Sequence, residues 1–152
     1  MVLDSEEANL MKESLNNCET PPLEGEKKFC TESLESMVDN VISILGTHHL
    51  QAISTMINGS QHEKTVYKVA SPLKKFLNQD KIVICHPEPF PQAVHYCHKS
   101  SEYEVYAVVL VGDNRSIVNA IVVCHHLKMV PKNNDPICHF LPEDHLIWVH
   151  SI

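Results

Sequence analysis

Nowhere does this chain of 152 residues approach 18 consecutive apolar residues, so no membrane-spanning helix is written in it. It also lacks any dense cluster of lysine and arginine. The adjacent basic pairs are Lys27-Lys28 and Lys74-Lys75, and both read as solvated surface. With a formal net charge of -7 there is no basic stripe to neutralise phosphates, which argues against nucleic acid as a partner. No Cys-x-x-Cys occurs, which argues against a zinc ribbon or a thioredoxin-type motif. There is no internal repeat and no low-complexity prefix. The opening Met1-Val2-Leu3-Asp4-Ser5-Glu6-Glu7 turns acidic at once and carries no basic-then-apolar signal peptide.

What is present suits a folded domain. Hydrophobic residues make up 43% and charged residues 20%, enough for a hydrophobic core in a chain of this length. Six cysteines, an even count, suit a disulfide framework, and that requires an oxidising compartment. Asn58-Gly59-Ser60 and Asn114-Arg115-Ser116 both fit the N-glycosylation acceptor pattern. Together these features imply a secreted parent protein whose leader is missing from this chain.

Local patterns predict helices first. Asp4 to about Asn16 reads as a helix capped by Asp4 or Ser5, with Glu6 and Glu7 in the first turn and Ala8, Met11 and Leu15 on one face. Thr20-Pro21-Pro22-Leu23-Glu24-Gly25 breaks it. A second helix runs from about Thr31 to Leu45, with an apolar stripe of Leu34, Met37, Val38, Val41, Ile42 and Leu45, and stops at Gly46. A bridge between Cys18 and Cys30 would tie the two helices together, worth on the order of 3 kcal/mol.

After Gly46 the period becomes extended. Strands are expected over 51–57, 65–70, 82–84, 104–111, 117–123 and 146–149, with residues 112–116 turning a hairpin. The predicted fold class is α+β: two N-terminal helices (1–46), then a mostly antiparallel β-sheet (47–152) carrying Cys-His pairs.

Those pairs are the specific signal. Cys85-His86, Cys97-His98, Cys124-His125 and Cys138-His139 place histidine directly after four of the six cysteines, where chance would give about 0.4 such pairs. The gaps between successive pairs are 10, 25 and 12 residues. On a strand, neighbours point to opposite faces, so each cysteine can face a core or a partner sulfur while its histidine faces away. Imidazoles from several strands can then converge on one site, and such sites suit copper, zinc, iron or nickel.

The spacing resembles that of the BURP domain family of plants: Cys-His, ten residues, Cys-His, about 25, Cys-His, about 25, Cys-His. Residues 90–98 (Phe90 through His98), 138–145 (Cys138 through His145) and 18–37 (Cys18 through Met37) are also similar to stretches of that family. Two departures stand out. The third gap is about half the family's length, with no counterpart of its Trp-Asn-Pro stretch between His126 and Lys132, and the family's first portion has no counterpart before Met1. The chain is therefore expected to be a single, incomplete BURP domain with uncovered sheet edges.

The resemblance implies further expectations. His86, His98, His125 and His139 would be metal ligands, with copper as cofactor. Set against this, they can be structural histidines beside disulfides. His139 follows the altered gap, so its reach to a common site is the least secure. Bridges Cys18–Cys30, Cys85–Cys97 and Cys124–Cys138 are the simplest of 15 connectivities, the alternative being buried free thiols. His95, His126 and His145 are candidates for accessory positions near the pairs.

Some members of the family are copper-dependent peptide cyclases that cross-link a Tyr or Trp side chain of a core peptide. Others resemble seed, dehydration-responsive or polygalacturonase beta-subunit proteins. With no core peptide in this sequence, the expectation is a non-catalytic BURP protein. It would act in development or stress in the extracellular space, cell wall or vacuole, with cell-wall components or a precursor peptide as partners.

Overall fold

The computed structural model describes residues 5–58, 64–76, 81–89, 93–126 and 136–151. Helix α1 (Glu6–Glu19) starts at Ser5, whose hydroxyl accepts the Ala8 N–H at 3.1 Å. Helix α2 (Leu34–Leu45) starts at Ser33, which accepts the Ser36 N–H at 3.1 Å, and ends at Gly46 in the left-handed region, φ +68°.

The expected order of two helices followed by a sheet is overturned. Residues Lys27–Thr31, between the helices, form strand β1, so a single helix precedes the first strand and the chain is mostly antiparallel β-sheet. The reason is burial. Thr31 is buried and Phe29 packs against a hydrophobic cluster, so this segment gains more in a ladder than in a loop. Lys27-Lys28 hid that alternation in the sequence. The sheet also does not carry Cys-His pairs as units: every cysteine bonds another cysteine, and the histidines stand beside disulfides.

The chain divides into two compact units. The first comprises Met1–Ala52, Lys81–Ser100 and Leu146–Ile152; the second comprises Ile53–Asp80 and Ser101–His145. In the first, β1 joins β2 (Leu50–Ile53), β6 (Ile82–Pro87), β7 (His95–Lys99) and β11 (Leu146–His150) in the order β1-β7-β6-β11-β2. Met37, Val41 and Leu45 of α2 pack with Val83, Cys85, Cys97 and Trp148 from one face of that sheet. The Trp148 indole N–H points at Met37 Sδ, 3.3 Å away. Lys81 donates to the carbonyl of Leu45 at 3.1 Å, placing a cation at the negative end of α2.

Helix α1 buries Ala8 and Ser14, while Leu15, expected on the inner face, is 47% exposed. Polar ties explain the rotation. Ser14 Oγ and Asn17 Nδ2 donate to the Glu88 carboxylate at 3.4 and 3.3 Å, and Lys28 donates to the Asn17 carbonyl at 3.0 Å.

The second unit is built on the predicted hairpin of β8 (Tyr103–Gly112) and β9 (Ile117–His125), in register from Tyr103↔His125 to Val111↔Ile117. Strands β3 (Met56–Asn58) and β10 (Ile137–Phe140) pair with β9; β4 (Tyr67–Val69) and β5 (Lys74–Lys75) pair with β8. Val108, Leu110, Val118 and Ala120 form its hydrophobic cluster. At Gly112 a Cβ would lie 2.7 Å from both Asn114 Oδ1 and Ser116 Oγ, so a larger residue there would push those two side chains out of the turn. No helix among the described residues is long and apolar enough to cross a membrane.

Leu45→Ala, at a site 1% exposed beneath the first sheet, should lower stability by about 2–5 kcal/mol. Leu34→Ala, at 65% exposure on the same helix, should stay within about 0.5 kcal/mol. Urea unfolding of both variants checks the assignment of the inner face.

Candidate metal centre

Each unit contains one cystine set across adjacent antiparallel strands. Cys85 on β6 stands opposite Cys97 on β7, and Cys124 on β9 stands opposite Cys138 on β10; both pairs have Cα atoms 4.0 Å apart. That is the close, non-hydrogen-bonded kind of pairing. The third cystine, Cys18–Cys30, joins the end of α1 to β1 and lines a cavity of about 520 Å³ with Ser14, Thr31 and Val94.

The histidines follow from this register. In an antiparallel ladder, the residue after each bridged cysteine lies on the opposite face, and the two such residues are diagonal neighbours within side-chain reach. His86 and His98 accordingly meet at Nε2···Nε2 2.9 Å, and His125 and His139 meet at 3.1 Å. Within each pair the ring planes lie within about 22° of each other, so the two nitrogens face one another. The four histidines expected at one centre are thus brought together as two doublets, one per unit.

A tyrosine stands against each doublet. The Tyr96 ring is 5.4 Å from His98 and 6.3 Å from His86, while buried Tyr103 meets His125 edge-on at 6.3 Å. Burial raises the Tyr96 pKa, with the charges of Glu26 and Glu88 adding to it, so the phenol stays protonated. Burial also lowers the pKa of His125, and repulsion from His139 lowers it further. Two facing Nε2 atoms can share one proton; two protons would confront each other.

The second doublet has a defined tautomer. His139 Nδ1 lies 3.2 Å from the Phe140 carbonyl, which can only accept, so Nδ1 carries the proton. With its Nδ1 proton on Phe140, an uncharged His139 ring has a lone pair at Nε2 that an Nε2–H of His125 can meet. Such an outer hydrogen bond is what orients an imidazole ligand.

On the other face of the sheet from this doublet, opposite Cys124, lies a charged group that sequence reasoning missed. Glu104 accepts from the Tyr106 hydroxyl at 2.6 Å and from Lys75 at 2.9 Å, with His126 Nε2 at 3.5 Å. The Tyr106 and Lys75 hydrogen bonds hold its pKa at about 2. Glu104 and Tyr106 are two apart on one strand face, which was the available signal. His145 lies 3.6 Å from Asp144, and His95 stands on β7 opposite Pro87. Neither histidine completes a doublet. Among the described residues no group of three or more His, Cys, Asp or Glu side chains is placed to hold a metal.

Of the two glycosylation patterns, Asn114 shapes the hairpin turn. Its Oδ1 accepts from the Ser116 N–H at 3.0 Å and from the Ser116 hydroxyl at 2.5 Å, while its Nδ2 is buried. Asn58 is exposed at the end of β3, and the rest of its triplet lies outside the described residues.

The sequence signature of the BURP domain matches residues 1–150. The chain belongs to the BURP domain family. This BURP chain is 42% identical over 157 residues to "BURP domain protein RD22" of Arabidopsis thaliana, covering 95% of the chain and 40% of that protein. It is 39% identical over 163 residues to "BURP domain-containing protein 3" of Oryza sativa subsp. japonica, covering 97% of the chain and 38% of that protein. Against "BURP domain protein USPL1" of Arabidopsis thaliana the identity is 34% over 167 residues, 96% of the chain and 59% of that protein. The chain thus spans about two-fifths of the length of the first two of these relatives.

The acid response of the second unit should run through Glu104. Its pKa falls on folding from an ordinary 4.5 to about 2, so its stabilising contribution is present above that range and is lost as pH falls through it. Its partial exposure keeps the effect modest. Glu104→Gln should flatten this stretch of the pH–stability curve, read as the urea midpoint at successive pH values.

Proposed function

We propose that this BURP chain works outside the cytosol as a disulfide-built, copper-holding module without catalysis of its own, in plant development or stress. The observation that carries the reading is the closure of all six cysteines into three cystines. Such bonds persist where thiols are kept oxidised, as in the extracellular space. The relevant partners are cell-wall components. The chain expressed behind a secretory leader should be recovered from the plant cell wall or medium with all three bridges intact by non-reducing peptide mapping. Cytosolic protein with six alkylatable thiols and unchanged solubility would overturn the reading.

The residues fit copper. Each doublet offers two imidazole nitrogens, 2.9 or 3.1 Å apart, and imidazole is a donor that suits copper. His86 with His98, and His125 with His139, would be the ligands. Bound copper would supply one-electron redox chemistry. The chain's own part is to fix the His139 tautomer through Phe140 and to wall His125 with Tyr103.

A second reading, a copper-dependent peptide cyclase joining a Tyr or Trp side chain within a precursor peptide, is favoured by the exposure of His139 at the surface. Loss of two hydrogens from an added precursor peptide, seen by mass spectrometry with copper and oxygen present, would establish it over the non-catalytic reading.

Within a doublet the ligands should be equivalent. His125→Ala and His139→Ala should weaken copper binding alike, each by more than the 10–100-fold typical of losing an outer-shell partner, and His95→Ala should change it little. Copper titration of the single variants measures this. Equal, negligible effects throughout would leave the doublets as hydrogen-bonded spacers beside the cystines.

A further inference from the structure

The three cystines differ in how a reagent can approach them. Cys85 and Cys97 are both 0% exposed beneath α2, so that bridge is closed to solvent in the folded chain. Cys138 is exposed, but attack there would expel the sulfur of Cys124, which is buried and stands opposite the ionised Glu104. Burial and a facing negative charge both disfavour a leaving thiolate. Cys18 and Cys30 are each half-buried, and their bridge forms part of the wall of the 520 Å³ cavity. Small-molecule sites commonly enclose about 300–1,000 Å³.

The two ends of this bridge are unequal. Cys18 lies in the last turn of α1, where the helix dipole places partial negative charge. Cys30 lies just before α2, and the hydroxyls of Thr31, Ser33 and Ser36 at the start of that helix line the same cavity. Those groups favour a thiolate at Cys30, which makes Cys30 the better leaving sulfur and Cys18 the better target. Leu15 and Val94 supply apolar wall, and Glu32, exposed to solvent, is the charged group among the described lining residues. A small thiol with a cationic end matches that lining. Beyond the bridge, α1 buries Ala8 and Ser14, with polar ties from Ser14 and Asn17 to Glu88 and from Lys28 to the Asn17 carbonyl.

We propose that the Cys18–Cys30 bridge is a thiol–disulfide exchange site, where a small cationic thiol seats in the cavity and unfastens α1 from β1. The incoming thiolate bonds to Cys18 Sγ as the bond between Cys18 and Cys30 breaks. The electron pair leaves on Cys30 Sγ, which takes up the proton that the incoming thiol gave up. One disulfide is exchanged for one mixed disulfide and one thiol, so the step needs no further oxidant or reductant.

The test incubates the full oxidised chain with cysteamine at about pH 8, where a useful share of the thiol is ionised. Excess N-ethylmaleimide stops the reaction, and peptides are mapped by mass spectrometry without reduction. Cysteamine should appear on Cys18 and maleimide on Cys30, about tenfold or more ahead of opening at Cys85–Cys97 or Cys124–Cys138. Amide exchange along α1 should quicken about tenfold in the modified chain while β6 and β11 keep their protection. Leu15→Trp, which narrows the cavity from an exposed position, should slow the exchange about tenfold. Glu32→Gln should slow cysteamine and leave uncharged 2-mercaptoethanol unaffected.

Opening of all three bridges at one rate, or of Cys124–Cys138 first, would overturn the site. An unchanged rate in Leu15→Trp would overturn the seating of the thiol in the cavity. Cysteamine on Cys30 in place of Cys18 would overturn the direction of attack, and a modified chain with α1 still protected would overturn the release.

Discussion

The cross-strand cystine is the constraint on which the rest of this BURP chain depends. A disulfide between directly opposed residues fixes which residue faces which, and a one-residue slip would turn every side chain to the other face. In the first unit it commits Cys85 and Cys97 to the core beneath α2 and thereby sends His86 and His98 to the far side. In the second it does the same with Cys124, Cys138, His125 and His139, although there only Cys124 of the two cysteines is buried and Cys138 is exposed. The adjacency of cysteine and histidine is therefore a mechanical arrangement. The sulfur sets the register, and the register aims the imidazole.

Two doublets have a different chemistry from one four-histidine centre. A facing pair of neutral imidazoles satisfies itself with a single shared hydrogen bond, so its polar nitrogens need not stay solvated. A cation offered to the pair competes with that proton, and burial of His125 favours the uncharged state that a cation needs. The first doublet is half-buried beside Tyr96, whereas His139 of the second is exposed. The two doublets therefore differ in solvent access even though one structural rule makes both.

Much of this was legible in the sequence where a single physical signal dominated. The apolar stripe and Gly46 announced α2, and the Val- and Ile-rich alternation around residues 112–116 announced the β8–β9 hairpin. Strand β1 was not legible because its pattern begins with two exposed-type lysines and its partner β7 lies some 65 residues on. Leu15 misled because helical spacing alone does not reveal that Ser14 and Asn17 are wanted by Glu88. The pairing of histidines was hidden for a related reason. Spacing counts residues between motifs and is silent about which strands are neighbours. Once a cystine is taken to bridge opposed strands, the diagonal placement of the two histidines follows without further information.

The lone tryptophan gives the molecule an uneven voice. Trp148 sits in the core of the first unit with the Met37 sulfur at its indole nitrogen, while Tyr67, Tyr103 and Tyr106 belong to the second unit and only Tyr96 to the first. Indole emission therefore reports the melting of one half of the chain, and phenol absorbance is weighted towards the other. If the two halves lose structure at different denaturant concentrations, the optical probes will give two midpoints for one polypeptide, and the separation between them measures how far the halves unfold independently.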